Sequence, residues 1–227
     1  MKQDLVLIGS GGCMREILWQ IEEFNKKREE TVWNVLGYVD IAPCVQNGSS
    51  TILAGNMYCP YLGDDDYLLA RQEETNVAVC VGEPGLRMKI AEKLRKNPIL
   101  KFPNIILGNT RICLDVDMGQ GCIISMDSRI STNVKLGDFV FLNIGAMICH
   151  DGVIGSFSTL SPDVKLAGQV TIGSHCDIGL GTKMIQGITI GNHVITGAGS
   201  VVIRNVEDNC TVVGVPAKRI DNRTSGS

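Results

Sequence analysis

The sequence predicts a small α/β domain followed by a parallel β-helix of hexapeptide repeats. Bulky aliphatic residues or Met occupy every sixth position from Ile112 to Ile190, and after Thr196 the same phase resumes at Val202. A second register, two residues earlier, holds side chains that are nearly all of Val size or smaller. Five glycines follow the aliphatic position at intervals of eighteen: Gly119, Gly137, Gly155, Gly173 and Gly191. Three hexapeptides therefore form one triangular coil, which buries its aliphatic residues by stacking on its neighbours.

The first hundred residues instead alternate strand and helix patterns. The run LVLIGSGG at residues 5–12 combines a buried strand with a glycine turn, and a strand from Lys101 to Leu107 connects to the coils. The elements predicted between them are a helix over Arg15–Lys27, a strand over Val35–Val39, a helix over Asp64–Arg71, a strand over Val77–Val81 and a helix over Arg87–Lys96. This alternation is typical of a small Rossmann-like parallel sheet.

The change from helical spacing to sixes places the domain boundary near residue 105. We expect a first domain over residues 1–105 and a β-helix over residues 106–220, whose end the Val212–Lys218 segment closes. Residues 221–227, which are rich in Ser, Gly and Asn, are expected to form a flexible tail.

Composition excludes several classes of protein. The 227 residues carry a net charge of −3 and 5% aromatic residues, which argues against nucleic-acid binding. No run approaches the roughly 20 apolar residues of a membrane span, and the N-terminus lacks a signal-peptide pattern, so we expect a cytoplasmic protein without membrane insertion. The nine cysteines contain no CxxC pair; Cys122 and Cys176 fall in the small inward register, so we expect reduced thiols and no metal site.

The segment Gly9-Ser10-Gly11-Gly12 lies where glycines allow backbone amides to reach a phosphate at a helix N-terminus. Met14 stands in the place of the third glycine of a dinucleotide fingerprint, and the domain has room for about one nucleotide-binding half. A mononucleotide or a nucleotide sugar is therefore the better prediction.

Two interpretations stay open for residues at the other strand ends of this domain, a functional one and a structural one. Asp40 could accept a hydrogen bond from a ribose or sugar hydroxyl, or it could cap a loop. The same two interpretations, a role in binding a ligand and a purely structural role, apply to Gly82 and Arg87.

His150 is the main candidate for chemistry in the coils. Its position two residues after Ile148 places it at a corner, and the eighteen-residue repeat puts Thr132 and Gly168 beside it in the stack. A missing side chain at Gly168 predicts a slot where an extended ligand could approach. Asp151 could hold the imidazole tautomer, which suits a general base, although an exposed His beside Asp can also be without a role. Cys149 is less suited as a nucleophile because adjacent side chains usually point apart.

The other two histidines repeat at one position of consecutive coils. His175 and His193 are eighteen residues apart, just after an Ile-Gly pair. They are expected to be stacked corner residues on a solvated edge.

Several segments together carry a resemblance to a known family. They are LVLIGSGG with the following REI, GYVD, LNIGAMICHDGVIG, LSPDVKLAGQVTIG, GAGSVV and GVPAK. With them, nearly the whole chain resembles the left-handed β-helix acyltransferases of the sialic acid O-acetyltransferase and nucleotide-sugar N-acetyltransferase family. The resemblance implies a left-handed β-helix, acetyl-CoA as co-substrate without a metal, a nucleotide-sugar substrate held by the N-terminal domain, and a homotrimer with active sites between subunits.

The resemblance also assigns residues. It implies that His150 is the general base, with Asp151 as its acidic partner and Asn143 as a polar residue near the site. Residues that would line the acetyl-CoA groove are Thr159, Gly168, Lys183, Gly197, Ala198, Ala217 and Lys218. Residues that would contact the nucleotide sugar are Gly9, Ser10, Gly11, Gly12, Asp40 and Gly82.

The chain also departs from this family at three positions. Thr159 stands where some amino-sugar enzymes carry a second histidine, Ile41 follows Asp40 where a second aspartate is frequent, and Cys13 replaces a bulkier residue. Three functions therefore stay open. The leading one is N-acetylation of a nucleotide-activated amino sugar for surface glycan biosynthesis. The alternatives are O-acetylation of a sialic acid or related sugar hydroxyl, and a non-catalytic trimeric nucleotide-sugar-binding protein.

Overall fold

The computed structural model describes residues 3–28, 32–45 and 48–220. The chain divides into two compact units, the first ending at Gly108 and the second starting at Asn109, three residues beyond the boundary expected from sequence. The predicted flexible tail, residues 221–227, lies outside the described residues. Among the described helices, none is long and apolar enough to cross a membrane.

The first unit is an α/β fold with one parallel sheet and one small antiparallel ribbon. Its elements are β1 (Gln3–Ile8), α1 (Gly12–Lys26), β2 (Trp33–Val39), β3 (Ile52–Ala54), β4 (Met57–Cys59), β5 (Tyr61–Gly63), α2 (Asp65–Leu69), β6 (Thr75–Val79), α3 (Pro84–Leu94) and β7 (Leu100–Lys101). Helix α3 begins three residues earlier than predicted because the Glu83 side chain caps it, accepting hydrogen bonds from the backbone N–H groups of Gly85 and Leu86.

The parallel sheet has the order β5-β2-β1-β6-β7. Strand β1 lies at its centre, where Leu5–Ile8 are buried, and α1 packs a buried apolar face that includes Met14, Ile17 and Ile21. Chain connections leave β1 toward β2 on one side, and the chain later returns to β6 on the other side. The carboxyl ends of β1 and β6 thus meet at the point where the strand order reverses, which is where open α/β sheets bind ligands.

The remaining strands, nearly all of two residues, form the predicted triangular coils. They are β8 (Ile105–Ile106), β9 (Arg111–Ile112), β10 (Asp117–Met118), β11 (Ile123–Ile124), β12 (Arg129–Ile130), β13 (Lys135–Leu136), β14 (Phe141–Leu142), β15 (Met147–Ile148), β16 (Val153–Ile154), β17 (Thr159–Leu160), β18 (Lys165–Leu166), β19 (Thr171–Ile172), β20 (Asp177–Ile178), β21 (Lys183–Met184), β22 (Thr189–Ile190), β23 (Ile195–Thr196), β24 (Val201–Val202), β25 (Thr211–Gly214) and β26 (Ala217–Ile220).

These strands stack into three sheets, which we number in chain order. Face 1 contains β8, β11, β14, β17, β20, β23, β25 and β26; face 2 contains β9, β12, β15, β18, β21 and β24; face 3 contains β10, β13, β16, β19 and β22. In one coil, residues 143–146 form the corner between faces 1 and 2, residues 149–152 the corner between faces 2 and 3, and residues 155–158 the corner between faces 3 and 1.

The strand register explains the periodic sequence. Ile130 pairs with Ile148 and Ile148 with Leu166, each eighteen residues on, and their side chains form part of one continuous buried core. The recurrent glycines lie where consecutive coils approach closely. A Cβ on Gly155 would lie 2.5 Å from the backbone of Gly173 and Ser174, so no larger residue fits without moving the next coil.

The end of the coil stack departs from the repeat. Ile195 pairs with Thr211, sixteen residues on, and β26 then pairs antiparallel with β25. Thr196, the polar residue at an aliphatic position, is buried with its hydroxyl paired: it accepts a hydrogen bond from the N–H of Gly179 at 2.9 Å and bonds to the Thr182 hydroxyl at 2.9 Å.

A ladder of four rings runs along the corner between faces 3 and 1. Phe139, Phe157, His175 and His193 stack with centroid distances of 5.2, 5.4 and 4.8 Å. All four have positive φ and follow one another at intervals of eighteen residues, so the repeat places each ring above the previous one. The expectation that His175 and His193 are stacked corner residues is confirmed.

The connecting strand predicted over Lys101–Leu107 is wrong. The segment holds the end of β7, which belongs to the first sheet, and β8, which belongs to face 1. Pro103 lies between them, and since proline has no backbone N–H to donate to a ladder, it interrupts the strand.

Candidate active site

His150 lies at the corner between faces 2 and 3, and its backbone is held by the coils on either side. The N–H of Gln169 donates to the His150 carbonyl at 2.9 Å, and the N–H of Asp151 donates to the Thr132 carbonyl at 3.1 Å. The imidazole points outward and is 48% exposed. The corner therefore presents the ring to solvent on a backbone that is fixed by the repeat.

Gly168 forms the seat of this ring. A Cβ built on Gly168 would lie 2.4 Å from both Cε1 and Nε2 of His150 and 3.0 Å from Nδ1. The sequence predicted a slot for a ligand at this position, but the imidazole itself occupies the space. Gly168 is thus a residue that sets the position of the imidazole.

Asp151 holds the imidazole at Nδ1, and Asn133 in turn holds Asp151. His150 Nδ1 lies 2.8 Å from Asp151 Oδ2, and Asn133 Nδ2 donates to Asp151 Oδ1 at 2.6 Å. The hydrogen bond from His150, followed by that from Asn133, lowers the pKa of Asp151 below its usual value. The carboxylate is therefore ionised at neutral pH and can only accept, so the neutral ring carries its proton on Nδ1 and its lone pair on Nε2. Sequence reasoning missed Asn133, although it precedes Asp151 by eighteen residues and so occupies the same place one coil earlier.

Asn143 is not brought beside His150 within this chain. It lies at the corner between faces 1 and 2, where its Oδ1 accepts a hydrogen bond from the N–H of Ile144 at 2.7 Å. No hydrogen bond joins it to His150 among the residues that the structure describes.

The residues predicted to line the acetyl-CoA groove divide among several surfaces. Gly168 lies with His150 at the corner between faces 2 and 3, while Gly197 and Ala198 lie at the corner between faces 1 and 2. Lys183 projects from face 2, and Thr159 is 5% exposed on face 1. One chain alone therefore does not gather this set around the imidazole.

Ala217 and Lys218 line a groove of about 350 Å³ at the end of the β-helix. Arg204 and Arg219 line the same groove, which the sequence did not reveal, together with Glu207. Three cations against one carboxylate favour an anionic ligand there.

In the first unit, all six residues predicted to contact a nucleotide sugar line one cavity of about 480 Å³. The cavity lies at the carboxyl ends of β1 and β6. Its walls include the apolar side chains of Ile8, Leu86 and Ile90, and two lysines that sequence reasoning missed, Lys89 and Lys93. Lys89 and Lys93 are four residues apart on α3, on the side of Leu86 and Ile90, and this spacing could have identified them from the sequence.

Helix α1 points an uncapped N-terminus at this cavity. Its N-cap residue, Gly11, offers no side-chain hydrogen bond and its first turn has no acidic residue, whereas Asp64 caps α2 and Glu83 caps α3. Backbone N–H groups of a first helical turn have no partner within the helix and attract anions. The glycine segment can therefore hold a phosphate.

Asp40 has the loop-capping role, and its position leaves the ligand-binding role open to it. Its Oδ1 accepts from the N–H of Ile41 at 2.7 Å, and its Oδ2 accepts from the Ser10 hydroxyl at 2.5 Å, which ties the loops after β1 and β2 together. It also lines the cavity, where the carboxylate can accept from a ligand hydroxyl.

The described residues contain no group of three or more His, Cys, Asp or Glu side chains arranged to hold a metal ion. The cysteines are free thiols, and Cys122 and Cys176 are buried among the aliphatic residues of the coils. Burial raises the pKa of Cys176, which suits a thiol that packs rather than reacts.

Solved structures similar to this chain include a GDP-perosamine N-acetyltransferase and an acetyltransferase domain. PerB from Caulobacter crescentus, determined with CoA and GDP-perosamine, is 31% identical with a TM-score of 0.82, over 96% of this chain and 97% of that chain. The acetyltransferase domain of PglB from Neisseria gonorrhoeae, determined with acetyl coenzyme A, is 26% identical with a TM-score of 0.83, over 97% of this chain and 100% of that chain. WeeI from Acinetobacter baumannii, at 24% identity and a TM-score of 0.78, shares the fold. No protein-family model and no curated protein sequence matches the chain.

Proposed function

Because this chain belongs to the family of left-handed β-helix nucleotide-sugar N-acetyltransferases, we propose that it transfers the acetyl group of acetyl-CoA to the amino group of a nucleotide-linked amino sugar, with His150 as general base. The observation that carries the assignment of the base is the half-exposed imidazole seated on Gly168, whose Nδ1 is engaged by Asp151 at 2.8 Å. Its Nε2 makes no hydrogen bond to the described residues, which leaves this nitrogen available to take a proton from the substrate amine.

The proposed reaction is a direct transfer without an acyl-enzyme. The amine nitrogen attacks the thioester carbonyl carbon, and His150 Nε2 takes a proton from that nitrogen. Collapse of the tetrahedral intermediate breaks the carbon–sulfur bond, releases CoA and leaves the amide. The proton on Nε2 then passes to the leaving thiolate or to solvent, which restores the neutral ring. Asp151 stabilises the imidazolium that forms in between, as an acidic partner does for a catalytic histidine.

We assign nucleotide-sugar binding to the cavity of the first unit. The uncapped N-terminus of α1 suits the phosphates, and Asp40 suits a ribose or sugar hydroxyl. The apolar wall formed by Leu86 and Ile90 suits the nucleobase. GDP-perosamine bound to PerB supports a nucleotide sugar as the substrate class.

We propose that acetyl-CoA binds along the β-helix and that the active form is a homotrimer with sites between subunits. The basic groove at Lys218, Arg204 and Arg219 suits the phosphates of CoA. The split of the predicted residues between two corners supports the trimer, because a threefold ring can place the corner bearing His150 against the Gly197–Ala198 corner of its neighbour. Light scattering should then give a mass of three times 24.5 kDa. We place the reaction in the cytoplasm, where acetyl-CoA and nucleotide sugars are made.

The test of the catalytic assignment replaces His150 by alanine. Wild-type protein should release CoA thiol from acetyl-CoA in the presence of UDP-, dTDP- or GDP-linked amino sugars, and His150→Ala should lower kcat by about 10²–10⁴-fold. His193→Ala is the matched control, because His193 is an exposed histidine at another corner. Rates near wild type for His150→Ala would refute the base.

The acceptor panel separates the remaining alternatives. Sugar hydroxyl acceptors without an amine should give no thiol release, whereas their use would favour O-acetylation. Binding of nucleotide sugars without any turnover of acetyl-CoA would favour a non-catalytic binding protein.

A further inference from the structure

Arg87 is a charged residue at the proposed nucleotide site that does not itself line the cavity. It lies on α3 and is 1% exposed, which makes it one of the largest fully buried side chains among the described residues. Val81 and Gly82, to which it bonds, do line the cavity. The guanidinium therefore lies behind the residues that form this part of the cavity wall.

The hydrogen bonds of Arg87 fix the orientation of two carbonyl groups in that wall. Its Nη1 donates to the Val81 carbonyl at 2.7 Å and to the Gly82 carbonyl at 2.9 Å. The two carbonyl oxygens therefore point toward a buried guanidinium that does not line the cavity. Carbonyl oxygens turned into the cavity would repel a phosphate, since both carry negative charge.

The charge of Arg87 also reaches the opposite wall. Burial raises the pKa of Cys13 to about 11, and the nearby Arg87 guanidinium opposes that rise. Cys13 lies in the first turn of α1 and lines the same cavity. The charge of Arg87 therefore reaches the first turn of α1, where it is partly opposed by Glu16 and where the helix N-terminus favours an anion.

We propose that Arg87 is a positioning residue for the diphosphate of the nucleotide sugar: it turns the Val81 and Gly82 carbonyls away from the cavity and adds positive charge behind the phosphate site. The inference rests on the proposed function for the identity of the ligand. It assigns Arg87 to the recognition of phosphate and not to that of the base or the sugar. We expect its removal to affect binding of the nucleotide sugar, because Val81 and Gly82, which it holds, line that cavity.

The test compares GDP with guanosine in titration calorimetry on the full-length protein. Arg87→Gln removes the charge, and Arg87→Lys keeps the charge but loses the planar fork. We expect Arg87→Gln to weaken GDP binding by about 10–100-fold and guanosine binding by less than about threefold, with Arg87→Lys in between. In turnover, KM for the nucleotide sugar should rise, while kcat and KM for acetyl-CoA should stay near wild type.

Arg95→Gln, at the exposed C-terminus of the same helix, is the matched control and should bind GDP like wild type. Should Arg87→Gln not fold, as judged by circular dichroism, the preference of Arg87→Lys for GDP over guanosine decides and should be reduced. Equal losses for GDP and guanosine, or no loss for either, would overturn the proposal.

Wild-type protein that binds none of GDP, UDP and dTDP would overturn it as well. Normal diphosphate binding that depends on Arg87, combined with no acetyl transfer, would instead refute only the proposed function.

Discussion

Gly168→Ala should lower kcat although it replaces no side chain that takes part in the reaction. The new methyl group would lie 2.4 Å from His150 Cε1 and Nε2, whereas ordinary contacts begin near 3.4 Å, so the ring has to move by about 1 Å. That movement also strains the 2.8 Å contact between His150 Nδ1 and Asp151. A misplacement of this size costs about 10²-fold in kcat, or about 2.7 kcal/mol in the barrier.

The fold should tolerate the same change. Gly168 does not use a left-handed backbone conformation, and the imidazole is half-exposed and can rotate into solvent. We therefore expect the free energy of unfolding, measured in urea, to fall by less than about 1 kcal/mol.

A double-variant cycle decides whether Gly168 acts through the imidazole. Thiol release is measured for Gly168→Ala, His150→Ala and the combined variant. If the reasoning is right, adding Gly168→Ala to His150→Ala costs nothing further, because the ring that it displaces is already gone. Full additivity of the two losses, or a Gly168→Ala enzyme with wild-type kcat, would refute it.

Three further predictions concern the carboxylates and the ring ladder. Asp151→Asn should lower kcat by about 10²–10³-fold because it loses the ionised acceptor for Nδ1, and Asn133→Ala should lower it by less than about tenfold. Steady-state kinetics on variants shown to be folded by circular dichroism checks both. Phe157→Ala removes a ring stacked at 5.2 Å and 5.4 Å from its neighbours, so it should lower the free energy of unfolding by about 3–4 kcal/mol in urea titrations, while kcat of the folded fraction stays unchanged. Acid should lower the stability of the coils. The hydrogen bond from Lys165 lowers the pKa of Asp163, and the hydrogen bond from His150 lowers the pKa of Asp151. The stability that the two ionised carboxylates contribute is therefore present above about pH 4 and is lost as the pH falls through their lowered pKa values in the folded state. Thermal melts at about pH 7, 4 and 3 should show this loss, and Asp163→Asn should show less of it; a melting temperature that does not change with pH would contradict the assignment.

The β-helix could be predicted almost completely from sequence, and the reason is geometric. A repeat of six sets which residue faces inward, and a repeat of eighteen sets which residue lies above which. Ile130, Ile148 and Leu166 pair as these intervals require. The repeat also stops being informative where the structure leaves it, as at Thr211, which pairs sixteen residues from Ile195.

The first unit was harder to predict because its short strands have no comparable signal. Ile52–Ala54, Met57–Cys59 and Tyr61–Gly63 are each three residues long, too short for an alternating pattern to stand out. The pairing of these strands depends on tertiary contacts. The glycine segment and Asp40, by contrast, lie at strand ends that the order of elements already brings to one edge.

For the candidate site, sequence placed His150, Asp151 and Gly168 together because Asp151 is the next residue in the chain and Gly168 lies one eighteen-residue repeat further on. It misjudged what the missing side chain of Gly168 is for, since which group enters such a space depends on side-chain torsions that spacing does not encode. The buried position of Arg87 was equally hidden, because a charged residue at a helix start is usually solvated.

The reversed strand β26 changes the edge that the end of the coil stack presents to other molecules. A stack of parallel coils finishes in open rows of amide and carbonyl groups, which are templates for further strands and hence for fibre growth. On face 1, β26 covers that row with a strand of opposite direction, and the exposed Lys218 and Arg219 place like charges on the new rim. A second molecule therefore meets a charged strand of reversed direction on this face, which opposes the extension of the coil into a filament there.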